Sequence, residues 1–132
     1  PGLLTVDAVD GWRTAPGRGT ARGARDGAGW GVRVAAGLRV SELVRMRVSD
    51  VNFHAGYVVA FGKGKKERLV PIGETALVTL RTYVEEHRPH FLRKQRGTVT
   101  DVLFLTRLGR AMTRQAFWKL LGQHVLKAGI HK

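Results

Sequence analysis

No cysteine occurs among the 132 residues, which excludes disulfides, thiolate metal sites and a cysteine nucleophile. Long apolar runs are missing too, so no segment is expected to span a bilayer, and no signal-peptide pattern opens the chain. The first residue is Pro1 rather than Met, which reads as a start inside a longer protein. Metal-ligand clusters are absent from the sequence pattern. The lysine run Gly62-Lys63-Gly64-Lys65-Lys66 also lacks the four-residue spacer and the Ser/Thr that a phosphate-binding P-loop requires. These absences lead to four expectations: no cofactor, no membrane contact, no small-molecule substrate, and a cytosolic, cytoplasmic or nucleoid location.

Acidic residues are scarce. Ten Asp and Glu stand against 23 Lys and Arg, for a formal net charge of +13. The basic residues run from Arg13 to Lys132 and interleave with apolar segments, so the pattern is a folded domain with a basic face rather than a basic tail. Nucleic acid is the partner such a charge implies, because phosphates neutralised by Lys and Arg release counterions. Charge alone does not separate DNA from RNA.

The chain divides into two zones. Residues 1–37 hold nine of the 17 glycines, and Pro16 to Gly23 reads as a loop. Thr5 could N-cap a short helix through Arg13. A further helix over Asp26 to Ala36, closed by Gly37, is suggested by position and opposed by composition. Gly27, Gly29 and Gly31 each cost about 1 kcal/mol relative to Ala in a helix interior, and Arg33 sits among the apolar positions. Ser41 to Met46 reads as a short helix capped by Ser41. A β signature follows: Val51 to Phe53, a turn at His54-Ala55-Gly56, Tyr57 to Phe61, a glycine turn at 62–65, and Glu67 to Ile72. Glu74 to His87 carries Leu77, Leu80 and Val84 at helical spacing. Asp101 to Leu105 is extended. Thr113 N-caps a last helix to Ala128 with Phe117, Leu120, Leu121 and Val125 inward, closed by Gly129. The expected fold class is α+β, mainly helical, with helices around a small three-stranded antiparallel sheet.

Three blocks carry a family resemblance. Gly37-Leu38-Arg39-Val40-Ser41-Glu42-Leu43 is similar to the first-arginine motif of the tyrosine site-specific recombinases, the phage-integrase family, and of its bacterial Xer type in particular. Gly62-Lys63-Gly64-Lys65-Lys66-Glu67-Arg68-Leu69-Val70-Pro71 resembles that family's hairpin-lysine motif. Met112-Thr113-Arg114-Gln115-Ala116-Phe117-Trp118 resembles the helix start that follows. Three blocks in order, at matching spacing, are far more specific than any one of them. The match is good from Ala35 to Ile130. Leu3 to Val34 matches loosely, through Leu4-Thr5-Val6-Asp7 and Arg25-Asp26. Residues 1–34 are therefore expected to be lead-in helices, and residues 35–132 the first part of the family's catalytic domain.

The resemblance implies roles. Family members cut DNA by tyrosine attack on a phosphodiester, leaving a 3′-phosphotyrosine and a 5′-hydroxyl. Arg39 is then the fork-shaped donor to the charged non-bridging oxygens, and its place at a helix start would assist it. Lys63 is the proton donor to the departing 5′-oxygen. Glu42 supports Arg39. Lys65, Lys66 and Arg68 add phosphate affinity. Arg114 and Gln115 meet double-stranded DNA at phosphate or base edges. The family assembles as tetramers on paired sites.

Each role competes with a plainer one. Arg39 alone would be a surface ion-pair partner, the lysine run a solvated turn, and Arg114-Gln115 an ordinary first turn. Trp118 is expected to pack rather than stack on bases. His90-Phe91-Leu92-Arg93 fits the family's His-x-x-Arg string but falls too early in the chain, and His124 is a helix-face histidine. Tyr57 and Tyr83 are the only tyrosines and both read as core. The family's second arginine and nucleophile would lie beyond Lys132, so this chain alone is expected to bind DNA and not to cleave it. The competing class is a stand-alone basic nucleic-acid-binding module without catalysis. Dimer resolution, phage integration and transposition are not separated by the sequence.

Overall fold

A computed structural model describes residues 20–62, 66–95 and 100–127, the last seven as backbone only. The helix expected from Thr5 to Arg13 and the closure expected at Gly129 lie outside these residues. Helix α1 (Ala21–Ala36) begins at Thr20, whose hydroxyl accepts from the Gly23 amide, and ends at Gly37 in the left-handed conformation (φ 63°). The Gly37 amide donates to the Arg33 carbonyl, and a side chain at that φ would be strained. The expected closure at Gly37 holds. The helix starts five residues earlier than the sequence suggested, so 21–23 are helical rather than loop. The boundary placed between residues 34 and 35 falls inside α1.

Helix α2 is Val40–Arg45, with Arg39 and not Ser41 as its N-cap. The reason is Glu42: its Oε1 accepts from the Arg39 amide at 3.0 Å, satisfying the group a serine cap would have left open. A 3-10 turn (Val48–Asp50) leads into β1 (Val51–Asn52), β2 (Tyr57–Phe61) and β3 (Glu67–Pro71), an antiparallel sheet in that order. In β2, Val58 and Ala60 are buried and Phe61 is exposed, the alternation of a one-sided sheet. Arg68 lies opposite Ala60 and so shares the inward face.

Helix α3 (Gly73–Thr82) continues through a π-helical turn (Tyr83–His87) into α4 (Arg88–Leu92). The Arg88 amide bonds the Tyr83 carbonyl five residues back, and the extra residue brings Tyr83, Arg88 and Phe91 to the buried side. Helix α5 is Arg114–Lys127, capped by Thr113, whose Oγ1 accepts from the Ala116 amide.

Between α4 and α5, the stretch Thr100 to Leu105 runs through the middle of the molecule. Leu103, Phe104 and Leu105 are fully buried, yet this stretch makes only isolated bridges, Arg47 to Val102 and Leu105 to Ala111. A buried backbone without a strand partner must find donors elsewhere. Arg88 supplies them to the Thr100 and Val102 carbonyls at 2.7–2.8 Å. The Tyr83 hydroxyl donates to Leu103 O and accepts from the Leu105 amide. Arg25, buried beside Asp26 at 2.8 Å, donates to Leu105 O. Tyr83 is core, as expected; Tyr57 is half-buried in β2.

Phe117 ties α5 to this centre. Its ring meets Phe104 edge-on at 5.4 Å. On the other side it rests on Gly29, where an added Cβ would stand only 2.2 Å from the ring's Cζ. The glycine that looked like a helix defect is the seat of this ring.

Two outcomes follow. Gly29→Ala is expected to cost about 1–3 kcal/mol by overpacking. Gly31→Ala, whose new Cβ meets only Ala76 at 3.9 Å, is expected to gain up to about 1 kcal/mol; urea midpoints of the two variants check the opposite signs. Burial pushes the Tyr83 phenol from 10.0 up to about 12, against the opposing pull of its backbone bond and of Arg88 and Arg25. The fold thus favours the neutral phenol, and that stabilisation is whole below pH 10 and lost as pH rises through 12. A rise of that size is worth roughly 2–3 kcal/mol. Stability measured against pH should fall across that window in the parent chain, and this component should be missing from Tyr83→Phe.

Candidate nucleic-acid interface

Three helix ends meet on one side of the molecule. The last turn of α1 brings Arg33, the first residues of α2 bring Arg39, Val40 and Ser41, and the first turns of α5 bring Arg114, Gln115 and Trp118. Together they line an open groove of about 530 Å³. Three of these side chains are guanidinium groups, and among the described lining residues none is acidic. Arg39, predicted from one block, and Arg114 and Gln115, predicted from another 75 or more positions later in the sequence, are brought together here. The packing of Phe117 on Gly29 sets this arrangement, because it holds the start of α5 against the second half of α1.

Glu42 sits behind the groove. One carboxylate oxygen holds the Arg39 amide; the other is buried and lies 3.3 Å from Nη2 of Arg68 on β3. That second contact is an ion pair without hydrogen-bond geometry. It links the helix that carries Arg39 to the hairpin strand that follows the lysine run. Arg68 is thus engaged with Glu42, while its own side chain remains 45% exposed. Lys66 is exposed at the base of the hairpin, where its carbonyl accepts from the Gly62 amide. Lys63 and Lys65 lie outside the described residues.

Two residues of the groove were not anticipated. Arg33 reads in the sequence as a misfit on an apolar face; that misfit was the available signal. Its guanidinium lies over the Trp118 ring, 5.6 Å from the centroid. Trp118 itself is 62% exposed and forms a wall of the groove instead of packing in the core, because the inward position of that turn is taken by Phe117.

Other candidates fall elsewhere. His90 and Arg93 are exposed at the end of α4, 3.3 Å apart, and neither lines the groove. Tyr57 and Tyr83 do not line it either. The side chain of His124 lies outside the described residues. Among the described residues, no three His, Cys, Asp or Glu side chains gather in a way that could hold a metal ion, and no helix is long and apolar enough to cross a membrane.

Comparison with known proteins shows the family and the fold. The phage integrase family model matches residues 14–132. A curated relative, tyrosine recombinase XerD of Staphylococcus saprophyticus subsp. saprophyticus, is 42% identical over all 132 residues, and the match covers 44% of the relative. The chain thus spans less than half the length of the curated relatives it matches. Among solved structures, XerA recombinase superposes over the whole chain with a TM-score of 0.76 at 24% identity, covering 43% of XerA. XerH recombinase bound to its difH substrate, a pre-cleavage complex, superposes over the whole chain with a TM-score of 0.73 at 20% identity, covering 38% of XerH. The fold is that of the recombinase catalytic domain, and the chain belongs to the phage integrase family, the tyrosine recombinases, and is of Xer type.

Proposed function

We propose that this chain binds duplex DNA across the groove between α1, α2 and α5, and that it supplies the phosphate-binding half of a site-specific recombination centre. The observation that carries this reading is the convergence of Arg39, from the start of α2, with Arg114 and Gln115, from the start of α5, on one open, basic groove. That the XerH neighbour is a complex with its DNA substrate supports the choice of partner. Arg39 presents a planar fork to the non-bridging oxygens of the phosphate to be exchanged, where negative charge builds up during attack. Glu42 is a positioning residue: it fixes the turn from which Arg39 projects. Lys63 donates a proton to the departing 5′-oxygen. Lys65, Lys66 and Arg68 neutralise neighbouring phosphates. Arg114 and Gln115, at the start of α5, reach phosphate or base edges.

The chain's own residues bind and polarise the phosphate but do not attack it. Tyr83 is buried, with its hydroxyl engaged by Leu103 and Leu105, and Tyr57 belongs to the sheet. The working assembly is a tetramer on paired sites, on the bacterial nucleoid in the cytoplasm. The rival reading, a basic module with no catalytic ancestry, has no structural observation in its favour.

Binding should weaken steeply with salt. Six cationic contacts (Arg39, Lys63, Lys65, Lys66, Arg68 and Arg114) correspond to a loss on the order of a thousandfold between about 50 and 200 mM salt, measured by fluorescence anisotropy on a labelled duplex. A flat salt profile would remove DNA as the partner. Arg39→Ala and Lys63→Ala should each weaken binding only modestly, since each removes one contact among several. On a nicked suicide duplex the chain should form no covalent adduct; an adduct would show that one of its tyrosines is a nucleophile after all.

A further inference from the structure

Arg33 has no place in the roles assigned so far. It shares its helix face with Gly29, which is buried, and Trp30, which is half-buried, where an apolar residue would pack with less penalty. Its Nε is buried and has no hydrogen-bond partner among the described residues, an arrangement that costs free energy unless something offsets it. No acidic side chain pairs with it among the described ion pairs. What it does have is the Trp118 ring beneath its guanidinium and the open groove beside it. Stacking on an aromatic face fixes the plane of a guanidinium without using its N–H donors. The donor-bearing edge is thereby left available to an acceptor in the groove.

Arg39 and Arg114 line the same groove. Three like charges around one opening repel each other when it is empty, and an anion there relieves all three at once. A single phosphate engaged by Arg39 does not account for three guanidinium groups drawn from three helices. A DNA backbone does, since it presents successive phosphates along its path.

We infer that Arg33, oriented by Trp118, is an additional DNA-backbone contact that binds a phosphate flanking the one held by Arg39. The inference rests on the reading of the groove as the DNA site and adds to it a residue and a positioning partner. Trp118 acts through Arg33: its exposed ring is a platform for the guanidinium, and no base need stack on it.

The test uses Arg33→Leu in the full chain, read by duplex binding over a salt series and by thermal melting. Loss of one phosphate contact should make the slope of log K against log salt shallower by about one. Affinity at low salt should fall severalfold. Melting should be unchanged or raised, because the substitution removes a buried unpaired nitrogen. A purely structural arginine predicts the reverse, a lowered melting temperature with an unchanged slope, and that result overturns the inference. Arg33→Gln, which keeps the stem and a polar head, is read in the same way should the leucine variant fail to fold. Trp118→Leu should shift binding in the same direction as Arg33→Leu. In the Arg33→Leu background it should add little; full additivity would overturn the positioning role. Arg39→Ala and Arg114→Ala are the controls. If they flatten the slope and Arg33→Leu does not, only this inference fails. If none of the three alters it, the groove is not the DNA site.

Discussion

The contact between the Phe117 ring and the bare backbone of Gly29 is the constraint from which the basic groove follows. A ring this large, held edge-on by Phe104 on one side, can be accommodated on the other only where a helix presents no side chain. That requirement fixes how closely α1 and α5 approach. It also brings the last turn of α1 and the first turn of α5 to the same rim. Arg33, Arg39 and Arg114 meet there as a result.

The core beneath is built unusually for so small a sheet. Its central stretch, Thr100 to Leu105, is satisfied largely by side chains from Arg25, Tyr83 and Arg88 and not by strands on both sides. Buried arginines are tolerable when each is spent on carbonyls or a carboxylate, as these are. Such an arrangement is directional, and it specifies one path for the segment where apolar packing alone would accept several. The π-turn at Tyr83–His87 serves the same end, because it places donors five residues apart on one side of a helix.

Much of this was legible in the sequence. The strands, the cap at Thr113 and the left-handed Gly37 were read from local pattern, which is where local physics decides, and the three motif blocks from their resemblance to a family. What was misread depended on distant partners. Helix propensity counted Gly29 as a loss, since nothing near it in sequence shows that a phenylalanine 88 positions later needs the space. Trp118 was expected to be packed because tryptophan usually is, but its neighbour Phe117 holds the inward position. Arg25 and Asp26 were visible as a pair, while their burial depends on a carbonyl at Leu105. Arg33 left a trace, a charge on an apolar face, that acquires meaning only once α5 is laid beside it.

Glu42 has a further consequence. With one oxygen on the amide of Arg39 and the other against Arg68, it makes the helix start and the hairpin strand parts of a single stiff body. Groups mounted on such a body do not have to find a ligand one at a time. The ordering entropy that would otherwise be lost at each encounter is lost once, when the chain folds. The carboxylate therefore couples the helix start to the hairpin strand before any ligand arrives.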